Sequence, residues 1–476
     1  MTTVITNQDP ATGAASRRRL AAVFTVTSLG AFMSSLDLSI VNVAFPALAR
    51  SFPGDSRATL AWVITGYAIV FGALMVSGGR AADRFGRRPV FFAGIAMFCL
   101  GSALCAAAPA LPVLVAGRAV QAIGTALLVP SSLGLLLEEF PAGSRSLAVS
   151  LWSGVGGLAV ATGPSLGAAL IQAAGWRAAF YVNLPVGLAT WAWGRGVLPR
   201  RPPPAADVAG TDYPGVLLSA VCLAGLVFGV SEGPGWGWGD GWVVAAFLLA
   251  AVTGTAFVRR CHGHAAPVLD LRLFRHRSFS VANAAMVLYA MAFFAMLLGN
   301  ILFLTGPLHY TVLRAGLAVT PAPLIVAAIC GPAGHWARSA GFRTVLACGF
   351  AVFAASFCWL IAEAGRHEAY LTGWLPGMVG CGIGIGLTYP VLGAAAVTAL
   401  PPSRFAVGSA VVQTARQVGG AIGVAVLVAI LGSAGGGGNP PVEAFRVLWG
   451  CCAAMSAAAL GLSLLLGPSD AGNSGT

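Results

Sequence analysis

The sequence predicts an all-α protein that crosses a membrane many times, and three observations carry that expectation. The 476 residues are 57% hydrophobic and only 9% charged. A soluble domain carries about 25% charged residues, so this chain cannot clothe itself in a polar surface. Apolar runs of about 18–25 residues recur along it, each long enough for a helix to cross a bilayer. Its basic residues, every one an arginine, gather between alternate pairs of those runs.

Taken in order, the runs predict fourteen spans, near residues 21–47, 60–78, 89–108, 111–135, 147–171, 178–198, 213–230, 241–257, 279–304, 316–335, 343–363, 371–398, 405–431 and 445–466. With the N-terminus inside, about nineteen of the 27 arginines fall on the inner side, about six on the outer side and two within spans. An even span count returns the C-terminus to the inner side. The opening "SRRRLAAVF" resembles a targeting segment, but the apolar run that follows is too long for a signal peptide and reads as an uncleaved first span.

The Pro-rich stretch "RRPPPAADVAGTD" after the sixth span is a linker, and a longer loop from Arg259 to Arg277 follows the eighth. Between them lies one two-span hairpin. The expected organisation is a six-helix bundle over 1–199, linker and inserted hairpin over 200–258, a loop over 259–278 and a second six-helix bundle over 279–476. The two bundles repeat each other. "GRAADRFGRR" (Gly79 to Arg88) returns about 255 residues later as "GHWARSAGFR" (Gly334 to Arg343), and "GTALLVP" (Gly124 to Pro130) returns as "GIGLTYP" (Gly384 to Pro390). Parallel six-span repeats are a transporter architecture with the substrate site between the halves.

Several functions are excluded. A phosphate-binding P-loop ends in GK[ST], and a chain without lysine has none, so an ATP-driven pump in one chain is ruled out. The ten cysteines, among them Cys99, Cys105, Cys222, Cys348 and Cys381, lie mostly in apolar segments and read as small buried hydrophobes. Cys261, His262 and His264 share the loop "RRCHGHAAP". Two or three ligands there are weak grounds for a metal, and a solvated basic loop is the expectation. No nucleophile–His–acid set, cofactor motif or nucleic-acid groove is legible, so no enzyme, cofactor, metal or nucleic-acid partner is expected.

Charged residues inside spans single themselves out. "SSLDLSIVNVAFPAL" places Asp37 near the middle of the first span. A carboxylate there costs about 2.5–3.5 kcal/mol on insertion scales. On a helical wheel Ser35, Ser39, Asn42 and Pro46 share one face, suited to packing on a neighbour, while Asp37 points away toward a water-filled cavity or a partner. A carboxylate so placed either takes up and releases a proton as its surroundings alternate, or forms a fixed ion pair. Arg118 in the fourth span shares a polar strip with Gln121 and Thr125. Arg416 shares another with Gln413 and Gln417 in the thirteenth. Trp62, Tyr67, Tyr289, Asn300 and Tyr389 are candidates to line a cavity with Gln121 and Arg416, against ordinary packing. Asp37 is the one acid placed deep in a span. Two deep arginines accompany it, which favours a neutral, weakly basic or anionic amphiphile over a strongly cationic one.

These motifs resemble those of the major facilitator superfamily, specifically its fourteen-span drug:proton antiporter branch. "LDLSIVNVAFP" is similar to that branch's first-span signature, with Ser39 in place of Thr. "GGRAADRFGRRP" is similar to the superfamily's loop motif, with Ala81 for Leu, and "LVAGRAVQAIGTALLVP" to its fourth-span motif, with Ala122 for Gly. "GVGGLAVATGPSLGAAL" resembles the antiporter motif through Gly163, Pro164 and Gly167; "WRAAFYVNLPVG" and "TARQVGGAIGVAV" look like two further features of the branch. The resemblance implies the major facilitator fold and proton-coupled export of amphiphilic drugs by a multi-pass monomer of the bacterial inner membrane. It implies that Asp37 and Arg118 couple protons. Gly79, Asp83, Arg84, Gly86, Arg87 and Arg88 would form a gating cluster at the cytoplasmic mouth, and the antiporter motif a bend between the halves. Transport of an endogenous siderophore, lipid or self-made antibiotic would use the same residues; a membrane enzyme or sensor is the third reading.

Overall fold

The computed structural model describes residues 10–141, 145–200, 212–264, 267–364, 370–398, 400, 405–433 and 440–466. The N-terminal half comprises α1 (Pro10–Ser51), α2 (Arg57–Phe85), α3 (Arg87–Ala107), α4 (Leu111–Glu139), α5 (Arg145–Ala174), α6 (Ala178–Tyr181) and α7 (Asn183–Val197). The inserted hairpin is α8 (Tyr213–Trp236) and α9 (Gly241–Gly263). The C-terminal half holds α10 (Arg277–Thr305), α11 (Val312–Val319), α12 (Pro321–Ala340), α13 (Phe342–Glu363), α14 (Leu375–Thr398), α15 (Phe405–Ser433) and α16 (Val442–Ser463). Among the described residues, twelve helical segments are long and apolar enough to cross a membrane. The apolar stretch Leu158–Ala174 of α5 and the pair α6–α7 bring the crossings to the fourteen expected.

Where the sequence predicts one unbroken helix, the structure breaks two spans, and proline is the cause. Pro185 and Pro321 have no N–H to give the preceding turn, so the sixth span parts at Val182 and the tenth at Thr320. The twelfth span opens with a wide π-helical turn, Tyr370–Trp374, just before Pro376.

The duplication is visible in the backbone. Gly86 (φ 92°, ψ 140°) separates α2 from α3, and Gly341 (φ 82°, ψ 153°) separates α12 from α13. A left-handed φ at both corners explains why each repeat keeps a glycine there. Helices α3 and α4 pack most tightly, because a Cβ on Gly124 would lie 2.4 Å from the Phe98 backbone nitrogen. The halves meet where α2 packs on α15, α1 on α10, and α5 on α11 and α12. The named contacts lie at mid-depth (Gly72 against Gln417) and toward the end away from the two chain termini (Pro164 against Gly316). The hairpin docks α8 into the seam between α2 and α15, while α9 turns Leu248, Leu249 and Val252 outward. Glu232, four residues from the end of α8, is buried.

Candidate functional site

The apolar face of α1 leaves Asp37 one polar neighbourhood, the interior of the N-terminal half. The residue is fully buried, so its side chain faces a partner and not open water. Arg118 Nη1 donates to Asp37 Oδ2 at 2.5 Å. Two amides donate to the other oxygen: Asn183 Nδ2 at 2.8 Å from α7 and Gln121 Nε2 at 3.1 Å from α4. Ser102 on α3 ties the amides together, accepting from Gln121 at 2.7 Å and from Asn183 at 3.3 Å. Gly101 permits this, since a Cβ there would sit 2.5 Å from the Gln121 backbone nitrogen.

Arg118 is anchored as well as paired. Its Nε donates to the Val63 carbonyl at 2.9 Å, Nη1 also reaches Gln121 Oε1 at 2.8 Å, and the guanidinium lies 4.1 Å from the Tyr67 ring centroid. Tyr67 in turn donates to Thr125 at 2.8 Å. Two buried atoms of this network have no partner, Arg118 Nη2 and Asn183 Oδ1. The anionic carboxylate is therefore matched by three donors from two helices, α4 and α7, with one acceptor, Asn183 Oδ1, in reserve. A protonated Asp37 needs such an acceptor for its O–H, and rotation of the Asn183 amide supplies it.

The expectation that Ser39 packs on a neighbour fits what is seen. Its hydroxyl donates to the Val160 carbonyl at 3.2 Å, and a Cβ on Gly163 would collide with its side chain. Gly167 faces Ile40 in the same way. One turn along, the Pro164 carbonyl abuts Gly316 of α11, and the Ser165 and Thr320 hydroxyls pair at 2.6 Å. The antiporter motif thus packs α5 on α1 with one face and on the C-terminal half with the other.

At the end bearing the termini, Arg87 is the hub. It contacts Asp83 at 3.7 Å, Glu138 at 3.0 Å and the Gly134 carbonyl at 2.7 Å. Arg88 donates to the Arg195 carbonyl at 3.0 Å, and Arg84 stacks over Phe85. The close helix approach sits at Gly78, whose Cβ would meet the Ala126 carbonyl, and not at Gly79, which faces Pro130 at ordinary distance.

The cavity candidates do not form one group. Tyr67 and Gln121 belong to the Asp37 network. Arg416 and Tyr389 pair with each other, Nη1 to the hydroxyl at 3.0 Å. Trp62 packs beside Ala68, Leu223 and Val227 at the hairpin seam. Asn300 is buried between α14 and α16, donating to Met378 Sδ at 3.6 Å and accepting from Trp449 at 3.1 Å. Cys261 and His262, expected in a loop, instead lie in the last turn of α9, which continues to Gly263; Cys261 is buried and His262 exposed, its Nδ1 2.9 Å from the Val258 carbonyl. Sequence reasoning did not single out Asn183 or Ser102, nor pair Glu138 with Arg87. The signal for Asn183 was an amide two residues before a proline inside an apolar span.

Two six-helix halves related by a repeat, with a buried acid–arginine pair in one of them, define the class of secondary transporters. Residues 27–424 match the Major Facilitator Superfamily, and the chain belongs to that family. It is 32% identical over 478 residues to the methylenomycin A resistance protein of Streptomyces coelicolor, covering 98% of this chain and 96% of that one. It is 33% identical to multidrug resistance protein Stp of Mycobacterium tuberculosis over 85% of this chain and 74% of the relative. The tetracenomycin C resistance and export protein of Streptomyces glaucescens is 33% identical, with 85% and 75% covered. Among solved structures, an auto-inhibited POT family peptide transporter superposes with a TM-score of 0.66 at 16% identity, covering 94% of this chain and 96% of that chain. The xylose transporter XylE from E. coli, in a partially occluded inward-open conformation, gives 0.62 at 14% identity, covering 92% and 98%.

Proposed function

We propose that the protein exports amphiphilic antibiotics or drugs from the bacterial cytoplasm in exchange for protons, by alternating access. Asp37 carries the proton and Arg118 is its fixed counter-ion. The observation that carries this reading is the Asp37 carboxylate, fully buried yet matched by donors on α4 and α7. Protonation cancels its charge, releases Arg118 Nη1 and Asn183 from it, and so changes what holds α1 against α4 and α7. Names of relatives that confer resistance to methylenomycin A or export tetracenomycin C support an antibiotic cargo.

In this reading the chain is an inner-membrane monomer with both termini cytoplasmic, and it divides at 1–199, 200–258, 259–278 and 279–476. The packing of α5 on α11 closes the outer side. The Asp83–Arg87–Glu138 cluster guards the cytoplasmic mouth. In proteoliposomes with an imposed pH gradient, Asp37→Asn should abolish gradient-driven efflux while the purified protein stays monodisperse. Full coupling in that variant would end the assignment.

A further inference from the structure

We propose that the cargo is a planar aromatic compound bearing an anionic oxygen (a carboxylate, phenolate or enolate), bound by Arg416 beside a ledge of stacked rings in the C-terminal half. The proposal deepens the exporter reading and rests on it for the word cargo.

Arg416 lies halfway along α15, at the seam between the halves, and is half-buried. Among the described residues no carboxylate pairs with it. Its one hydrogen-bond partner among them is the Tyr389 hydroxyl, the guanidinium lying 5.4 Å from that ring's centroid, and its Nε is buried with none. A cation at that depth is held in proteins by an anion, by carbonyls or by water. Arg118 has a carboxylate, an amide and a carbonyl; Arg416 has a phenol. The next residue, Gln417, is 1% exposed, and neither its amide nitrogen nor its oxygen has a partner.

The rings beside it are parallel. Tyr389 stacks on Tyr289 with centroids 6.1 Å apart and planes 21° apart, and Tyr289 stacks on Phe293 at 5.7 Å and 15°. Tyr289 in the middle is buried, while Tyr389 and Phe293 at the two ends are half-buried. A ledge of this kind takes a further flat ring by offset stacking, and a guanidinium at its edge takes two oxygens of an anion through parallel N–H bonds. A cationic ring would meet an unpaired arginine. The Asp37 carboxylate offers it no compensation, since donors already fill both of its oxygens.

The test uses the full chain in lipid nanodiscs without any gradient, with three fluorescent probes of one shape: 9-anthracenecarboxylate, 9-anthracenecarboxamide and 9-anthracenemethylammonium. At about pH 7.5, where a carboxylic acid is ionised, the carboxylate should bind about tenfold tighter than the amide, the worth of one charge-assisted contact. The ammonium should bind weakest. Arg416→Gln should erase the difference between carboxylate and amide, Arg416→Lys should keep part of it, and Tyr389→Phe should weaken all three probes less than twofold. Equal binding of carboxylate and amide by the native protein, or preference for the ammonium, overturns the proposal whether or not any variant folds. Because no gradient is present, the result is independent of coupling. Preferential carboxylate binding without gradient-driven flux would sink the exporter reading and leave the site standing; flux without the preference would do the reverse.

Discussion

The two halves descend from one repeat, yet they treat charge in opposite ways. At mid-depth the N-terminal half holds Arg118 against Asp37, with α2, α4 and α7 contributing hydrogen bonds to the pair. At the matching place in the second repeat, 260 residues on, Met378 replaces Arg118, and the amide of Asn300 rests on its sulfur. Around that contact the C-terminal half has built an aromatic core, with Phe303 packed on Trp374, Phe445 and Trp449. Its mid-span arginine, Arg416, comes from a different helix and, among the described residues, pairs with no acid. The loop motif repeats the asymmetry in sequence: Arg338 and Phe342 stand where the first repeat has Asp83 and Arg87. One half has thus kept a titratable network, and the other has kept a cation and rings. That division is what the proposed proton-driven carrier would use, with proton and cargo acting on different helices of the same seam.

The sharpest way to break this contrast is to neutralise each arginine in turn. Arg118→Met leaves Asp37 buried without its counter-ion, which should cost about 3–5 kcal/mol and collapse the yield of folded protein. Asp37→Asn combined with Arg118→Met should recover most of that stability and none of the gradient-driven efflux. Arg416→Met removes a cation that pairs with no acid among the described residues, so the apparent melting temperature in detergent should hold or rise. If Arg416→Met proves as damaging as Arg118→Met, the two halves are not different in the way proposed.

A smaller effect separates the halves mechanically. Gly316 is pressed against the Pro164 carbonyl, and an added Cβ would lie 2.5 Å from it. Gly316→Val should cost the closed outer seam about 1–3 kcal/mol by overpacking. Spin labels at Gly175 and His309, one on each side of the seam, should then show a longer distance population. An unchanged distance distribution would mean that the antiporter motif packs α5 without gating anything.

Most of this was legible in the sequence, and the reasons it was or was not are specific. Fourteen crossings follow from hydropathy and arginine bias because lipid leaves the backbone only the helix. The duplication was readable because Gly86 and Gly341 sit at corners that demand a left-handed φ. Asp37 and Arg118 stood out because charge in lipid is costly. What the sequence hid was partnership. A helical wheel says that Asp37 leaves the serine face, but not that α7 comes close enough for Asn183 to reach it; that depends on α3 and α4 meeting across glycines. The same limit grouped Asn300 and Trp62 with the cavity when their neighbours are a thioether and the hairpin. Pairs between helices are set by packing, and one chain read alone gives residues before it gives pairs.

The inserted hairpin offers the mildest test, because its acid–arginine pair lies at the membrane edge and is partly wet. Asp212 caps α8, accepting from Gly215 N–H at 3.0 Å and from Arg260 Nε at 2.5 Å. Burial opposes its charge, but the Arg260 hydrogen bond and the Gly215 N–H outweigh it, so the carboxyl titrates below the usual aspartate range. A lowered folded-state value means that the pair stabilises docking above the unfolded value, about 3.9. That stabilisation drains away as pH falls through the lower folded one. At neutral pH the anchor is therefore fully formed, and Arg260→Ala should loosen it by about 1 kcal/mol or less, Arg260 being a third exposed. Amide exchange at the start of α8 and the end of α9 should quicken severalfold in that variant, while exchange around Asp37 stays unchanged. Faster exchange at Asp37 as well would tie the hairpin to the proposed proton site, and the insert would then join the proposed coupling machinery.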